Sequence, residues 1–337
     1  MSRITLSIVV PTYNRAELLN CLLVSIVKDF TQWPSDLELI VIDNASTDET
    51  SAIISRFADK NFPIQYLVNE KNIGMDGNLA ACFDVASGKY FWQVGDDEIM
   101  YRGTVQYVLE LCRNQEFGVL HLASKGFTNG QQAEISLLAK PNRVEAEVLD
   151  SKKLFRLANV FLTFISANVI NRQAVLMRFP NFDTKAELNT NLPQLAWTFS
   201  ALKASDVHCY IGTPLLGALA GNTGGYKLIE VFGVNLINIT KKYLHDLIPN
   251  AERIMSNAVL IAVLPGGLMS QHSKSNLTSK FEHENVIVNA EACFKGFMYF
   301  KIFIRPILSN SNFKRKVAFF LVRVANRVNR KLKYFFL

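Results

Sequence analysis

Lys89-Tyr90-Phe91-Trp92-Gln93-Val94-Gly95-Asp96-Asp97 decides how this chain is read. Its first six residues form an apolar, aromatic-rich run closed by a glycine, the pattern of a buried strand. Asp96 and Asp97 then stand at the carboxyl end of that strand, where open α/β sheets bind ligands. Two adjacent acids beside a buried strand repel each other without a cation. Carboxylate oxygens suit hard divalent cations, and such cations suit phosphates. The stretch points to an α/β sheet whose edge handles a nucleotide diphosphate.

Outward from it, strand and helix patterns alternate. Leu6 to Val10 reads as a first strand, stopped by Pro11. Leu18, Leu19, Leu22, Leu23 and Ile26 then recur at helical spacing. Leu37 to Ile42 reads as a second strand and Ile64 to Val68 as a third, with Asn78 to Ala86 as a helix before the strand ending at Val94. Ser46 or Thr47 is expected to cap the helix after the second strand, with Asp48 and Glu49 in its first turn. Repeated βαβ units give right-handed crossovers and a largely parallel sheet flanked by helices.

In that topology the carboxyl ends of the strands share one edge. Pro11, Thr12, Tyr13 and Arg15 follow the first strand, and Asp43 and Asn44 the second. Asn72, Asp76 and Asn78 follow the third, and Asp96 and Asp97 the fourth. Asp43 can accept hydrogen bonds from a base or ribose, and Arg15 can offset phosphate charge. Asp96 and Asp97 can hold a metal that stabilises a departing diphosphate. Asn, Asp and Gly are also the usual turn formers, and capping is the expected role of Asn44 and Asp48.

Four motifs in order carry a resemblance. They are Pro11-Thr12-Tyr13-Asn14-Arg15, Val41-Ile42-Asp43-Asn44-Ala45-Ser46-Thr47-Asp48-Glu49-Thr50, Asn72-Ile73-Gly74-Met75-Asp76-Gly77-Asn78 and Gly95-Asp96-Asp97-Glu98. Together they resemble the family 2 glycosyltransferases of GT-A fold over residues 1 to about 125. The resemblance implies a nucleotide-sugar donor whose nucleotide is held by the first two motifs. It places Thr12, Tyr13 and Arg15 in the base pocket and Asp43 on the base or ribose. It also implies Mn2+ or Mg2+ held by Asp96 and Asp97. The family's acidic motif often reads Asp-x-Asp-Asp, whereas Val94 stands at the first acidic place here. Phe164 to Ile170 and Gly221 to Tyr226 are similar to stretches of abequosyltransferase-like enzymes of O-antigen assembly.

Residues 118 to 220 are expected to complete the sheet and form the acceptor side. Val119 to Leu122, Phe164 to Ile170 and Val207 to Ile211 read as strands, the last ended by Gly212-Thr213-Pro214. Leu192 to Leu202 has helical spacing, and its Trp197 is read as core rather than as a sugar platform. An inverting transferase needs a general base for the acceptor hydroxyl. The family often supplies it from a Glu-Asp pair, which this middle section lacks. The acids available there include Asp183 and Glu187; either could serve as the base, or neither. The domain division expected is 1–225 for the transferase, 1–125 for its nucleotide half and 126–225 for its acceptor half. Residues 226–337 then form a helical region.

The net charge of +7 over 337 residues is unevenly spread. Phe294 to Leu337 holds 11 Lys or Arg and no acid; 36 in the chain less these 11 leaves 25 basic against 29 acidic residues elsewhere. Leu228 to Leu247 and Ala251 to Leu264 read as helices, broken by Pro249 and by Pro265-Gly266-Gly267. Beyond them Phe313, Val317, Phe320, Leu321, Val324, Val328, Leu332 and Phe335 recur at helical spacing, with Lys314, Arg315, Arg323, Arg327, Arg330 and Lys331 mostly on other faces. A basic amphipathic helix of this type lies in an anionic membrane interface. Such a tail suits an acceptor saccharide on a lipid carrier, and nucleic acid is not expected. The five cysteines form no CxxC pair and the five histidines show no metal-ligand spacing. No GxSxG, GxxxxGK[ST] or GxGxxG occurs, against hydrolase, P-loop and dinucleotide readings. No targeting peptide or membrane-spanning run is read, so the expected location is cytoplasmic, on the inner face of the membrane. The rival readings are a nucleotidyl or phosphosugar transferase, and a non-catalytic membrane-associated protein with a degenerate transferase fold.

Overall fold

Strands β1 (Leu6–Thr12), β2 (Leu37–Asp43), β3 (Ile64–Val68) and β4 (Tyr90–Gln93) lie parallel in the order β3-β2-β1-β4. Helices α1 (Ala16–Val27), α2 (Thr50–Ala58) and α3 (Gly74–Val85) make the crossovers. Every residue of β2 is buried, as expected of a parallel strand covered on both faces. Leu6, Ile8 and Val10 face one side with Leu19, Leu22, Leu23 and Ile26 of α1. The alternation in β1 and the helical spacing in α1 therefore bury one shared core.

Past β4 the sheet becomes mixed. It holds β5 (Ile99–Met100), β6 (Val119–Phe127), β7 (Ala146–Leu149), β8 (Asn168–Asn171) and β9 (His208–Leu219). The order runs on from β4 as β8-β6-β9-β5, with β7 also beside β9. β8 is antiparallel to both β4 and β6. This reversal makes β8 begin at the carboxyl ends of its neighbours. The remaining helices of this part are α4 (Thr104–Asn114), α5 (Gln132–Ser136), α6 (Ser151–Ala158), α7 (Arg172–Arg178) and α8 (Gln194–Ala204).

The computed structural model describes residues 4–58, 62–128, 130–220, 225–272, 284–309, 311 and 316–322. Its packing forms two compact units. One comprises Met1–Asn189 and Pro193–Ala220, the other Thr190–Leu192 and Gly221–Leu337. In the second, Leu236–Leu244, Ala251–Ala258, Leu264–His272 and Val286–Phe294 are α-helices.

Several expectations need correction. Phe164 to Ile170 is a strand only from Asn168; Ile165–Ala167 is a 3-10 turn. Gly212-Thr213-Pro214 does not end β9. The register jumps from Leu122 opposite Ile211 to Ser124 opposite Leu216, so the segment is a bulge that accommodates Pro214. The Thr213 hydroxyl accepts from the Glu145 N–H at 2.8 Å and helps to hold it. Pro265 does not stop its helix, which runs Leu264–His272. The preceding turn, Val259–Val263, is a π-helix. A widened turn there relieves the proline's missing N–H and its clash with the carbonyl four residues back. Trp197 is buried, stacked on Phe83 with centroids 5.5 Å apart, and packs as core. Gly221 to Gly224, and the tail residues 312–315 and 323–337, lie outside the described residues.

Candidate active site

Strand register builds the site before any side chain is considered. Val9 pairs with Gln93 and Thr12 with Asp43. Three residues beyond Gln93, Asp96 comes level with Thr12. Asp43, Thr12 and Asp96 thus form one row across three neighbouring chains, spaced by about 4.8 Å per strand.

The acids sit on a turn in which the Glu98 N–H returns to the Gly95 carbonyl at 3.2 Å. The Ser166 hydroxyl accepts from the Gly95 N–H at 3.0 Å, and the Ser166 carbonyl accepts from the Trp92 indole at 2.9 Å. Ser166 is wholly buried in the turn before β8. The reversed strand therefore delivers the brace for the acidic turn. At Gly95 an added Cβ would lie 3.0 Å from Asp97 Oδ1, so a side chain there would crowd the acid.

Asp96 is buried. Its Oδ2 accepts from the Thr12 hydroxyl at 2.8 Å, and its Oδ1 accepts from Arg15 Nη1 at 3.0 Å. The same Nη1 lies 3.4 Å from Asp97 Oδ2. Burial pushes the Asp96 carboxyl up to about 6, against the pull of Arg15 and with a further push from Asp97. Glu98 is buried beside them, and its Oε2 has no hydrogen-bond partner among the described residues. Burial, then Asp97 and Asp96, hold its carboxyl well above the usual range. The Arg15 guanidinium lies against both Asp96 and Asp97, so the turn couples three carboxyl groups to a cationic side chain.

Beside it, the loops after β1 and β2 are knitted together. The Asn14 N–H donates to Ser46 Oγ at 2.9 Å, and the Thr47 N–H to Asn14 Oδ1 at 2.8 Å. Asp48 accepts from the Ala16 N–H at 2.9 Å and from the Thr50 N–H and hydroxyl at 3.1 and 2.6 Å. Asp48, rather than Ser46 or Thr47, therefore caps α2, and it also ties down the start of α1. Asp43 is buried and accepts from the Ser46 N–H at 2.8 Å and the Tyr66 hydroxyl at 2.5 Å. A carboxylate offers about four lone-pair sites, so acceptor capacity remains.

Asn44 and Asn78 have structural work. Asn44 donates to Asn72 Oδ1 and the Gly74 carbonyl, and accepts from Asn69 and the Ile73 N–H. Asn78 accepts from Asn69 at 3.0 Å and donates to the Ile42 carbonyl at 3.4 Å. Asn72 and Asp76 lie at the start of α3, on the site edge. Pro11 is part-buried, whereas Tyr13 is 43% exposed and stands clear of the core.

The downstream acids fall elsewhere. The Thr184 hydroxyl donates to Asp84 at 3.2 Å, and Phe182 packs on Phe83 at 5.3 Å. Asp84 is near the end of α3, about 15 Å of helix from the end at the acidic turn. Asp183 is therefore not brought to Asp96 and Asp97; it is exposed and accepts from the Lys185 N–H at 2.8 Å. Glu187 is buried. Asn189 and Asn191 follow with φ of 64° and 60°, a left-handed backbone that costs energy in non-glycine residues.

The donor set suits a hard cation. It is all oxygen, with Asp96 buried and Asp97 part-buried. Among the described residues no group of three or more His, Cys, Asp or Glu is placed to hold a metal. Two carboxylates without a full cage match a cation that shares its remaining positions with substrate phosphates.

Comparison with known proteins agrees with this geometry. The profile described as "Glycosyl transferase family 2" matches residues 7–208. Abequosyltransferase RfbV of Salmonella typhimurium is 36% identical over 123 residues, 34% of this chain and 37% of that protein. The GalNAc(5)-diNAcBac-PP-undecaprenol beta-1,3-glucosyltransferase of Campylobacter jejuni is 33% identical over 107 residues, 31% of this chain and 33% of that protein. The chain thus spans little more than a third of the length of these relatives. In fold, S. aureus TarS 1-349 in complex with UDP-GlcNAc superposes with a TM-score of 0.60 at 16% identity, over 98% of this chain and 93% of that one. A mannosyltransferase from Pyrobaculum calidifontis in complex with GDP-Man and Mn2+ gives 0.52 at 16% identity, over 97% and 88%. The chain belongs to glycosyl transferase family 2.

Proposed function

We propose that this family 2 member transfers a sugar from a nucleotide-diphosphate donor to a saccharide acceptor on a lipid carrier, in surface-glycan assembly. The observation that carries the reading is the row of Asp43, Thr12 and Asp96 at one sheet edge, with Asp97 and Arg15 beside it. The named relatives work in this chemistry, one on an undecaprenol-diphosphate-linked saccharide. Asp43 accepts from the base or ribose, and Tyr13 offers a ring for the base. Asp96 and Asp97 would hold Mn2+ or Mg2+. When bound, that ion would offset the charge of the departing diphosphate. Thr12 and Arg15 orient Asp96, and Arg15 adds positive charge near the phosphates. The proton acceptor for the acceptor hydroxyl is Asp183 or Glu187, of which Glu187 is the buried one.

The chain works at an anionic membrane surface in this reading. Among the described residues no helix is long and apolar enough to cross a membrane. Met298, Ile302, Val317, Phe320 and Leu321 are exposed apolar side chains interspersed with exposed Lys301 and Lys316. Such a surface binds an interface through both insertion and charge.

A thermal-shift screen of nucleoside diphosphates with and without manganese tests the reading. One nucleotide that stabilises only with metal is expected, and loss of that shift in Asp96→Ala. Stabilisation by no nucleotide, or an undiminished shift in Asp96→Ala, refutes it.

A further inference from the structure

Among the aromatic side chains described in the first unit, two are exposed: Tyr13 at 43% and Phe161 at 57%. Both lie at the carboxyl edge of the sheet, on either side of the acidic turn. Tyr13 follows β1. Phe161 lies in the 3-10 turn Asn159–Thr163, between α6 and the start of β8. α6 begins at the opposite edge, where Ser151 Oγ meets His208 Nε2 at 3.0 Å, and so it carries the chain up to the site.

The turn that bears Phe161 is heavily braced. Asn159, at φ 39°, donates to the Arg156 and Leu157 carbonyls at 3.1 and 3.2 Å and accepts from the Val160 N–H at 2.7 Å. The Thr163 hydroxyl donates to the Val160 carbonyl at 2.7 Å. Gln194 donates to the Thr163 carbonyl at 2.8 Å. Asn168 donates to the Leu162 and Phe164 carbonyls at 3.0 and 2.8 Å, and its own Oδ1 meets buried His121 at 2.9 Å. A lone exposed apolar residue is normally unremarkable. This one is held on a strained turn fixed by four polar side chains, which is the arrangement of a binding element on a rigid support. Ser166, the brace of the acidic turn, lies five positions further on. The chain between them reaches at most about 17 Å, the span of a few sugar rings.

We propose that the Phe161 ring is the platform on which a pyranose of the acceptor stacks, one or two units from the hydroxyl that receives the new sugar. The inference rests on the glycosyl-transfer reading above. A flat ring packs against the face of a pyranose that presents C–H bonds, while the sugar's hydroxyls stay wet at its rim. Trp197, the other ring considered for this role, is in the core. The platform therefore selects acceptors by the face of an inner sugar, and acts on binding rather than on the chemical step.

The test uses the full chain, manganese, a panel of nucleotide sugars and octyl glycosides of mono- and disaccharides as acceptors. Phe161→Ala is expected to raise the acceptor KM about tenfold, the effect falling on KM rather than kcat. Phe161→Tyr should return KM to within about twofold, and Phe161→Leu should not. Thermal unfolding identifies any variant that fails to fold, in which case the Tyr and Leu pair decides. An unchanged KM in Phe161→Ala, or full rescue by Leu, overturns the platform. So does wild-type protein that hydrolyses donor yet transfers to no octyl glycoside. Wild type that neither hydrolyses donor nor transfers sugar overturns the glycosyl-transfer reading, and the platform with it.

Discussion

The two edges of the sheet each bury a carboxylate, and they treat it in opposite ways. At the amino edge, Glu38 of β2 is saturated. It accepts from the Ser7 hydroxyl, the Ser87 N–H at 2.7 Å and the Ser87 hydroxyl at 2.8 Å. Ser7 in turn accepts from the Gly88 N–H at 2.7 Å. A Cβ at Gly88 would come within 2.6 Å of Ser7 Oγ and 2.8 Å of its backbone N, so glycine is required. At the carboxyl edge, Asp96 and Asp97 share one guanidinium, and Glu98 Oε2 has no partner among the described residues. A buried carboxylate with its donors in place holds a fold together. An oxygen without a donor, such as Glu98 Oε2 among the described residues, is destabilising until something binds. The difference separates the scaffold from the site.

Four substitutions or titrations would break or sharpen this contrast. The largest effect is expected for Asp96→Ala, which should cut transfer about 10²- to 10³-fold while leaving the apo protein no less stable. A matching fall in apo melting temperature would erase the distinction between the edges. Glu38→Ala should do the reverse. It strands Ser7 and the Ser87 N–H, and denaturant unfolding should show a loss of about 3 kcal/mol. Ser166→Ala falls between the two. It removes the acceptor for the Gly95 N–H, so about 1–2 kcal/mol of stability should go, with a weakened nucleotide and manganese shift. An unaltered metal response would show that Ser166 does not position the turn.

The smallest effect is that of pH. The folded-state Asp96 carboxyl lies at about 6, above its ordinary value of 3.8, chiefly through burial. Between these values the native state holds a proton that the unfolded chain releases. Asp96 therefore contributes stability below about 3.8 that is lost as pH rises through about 6, and Asp96→Asn should flatten that slope. Cation binding needs the deprotonated form, so the manganese-dependent thermal shift should grow from pH 5 to 7. A shift that is flat across this range would detach the metal response from Asp96.

Much of the donor half was legible because its signals are local. Alternation marked β1 and β2, helical spacing marked α1, and the aromatic run ending at Val94, with Gly95 and the acids after it, marked the sheet edge. What lay hidden depends on contacts distant in sequence. Residue types alone do not reveal that Ser166 accepts from Gly95, or that Asp96 comes level with Thr12, because both follow from strand register and from the reversal of β8. Asp183 was a reasonable candidate base by composition. Only the hydrogen bond from Thr184 to Asp84 shows that it belongs to the far edge. Pro214 and Pro265 read as terminators, since a proline lacks its N–H; a bulge and a π-turn absorbed them. Phe161 sits between Val160 and Leu162, which are both buried, so its exposure could not be read from an apolar triplet.

One reversed strand has a consequence for how such proteins diversify. β8 hangs by hydrogen bonds between β4 and β6, and the braced segment leading into it lies outside the parallel strands β1 to β4. On the reading proposed above, a change at the exposed position 161 would alter the glycan that is met without touching the strands proposed to hold the activated sugar, provided that a serine still arrived at position 166 to support the acids.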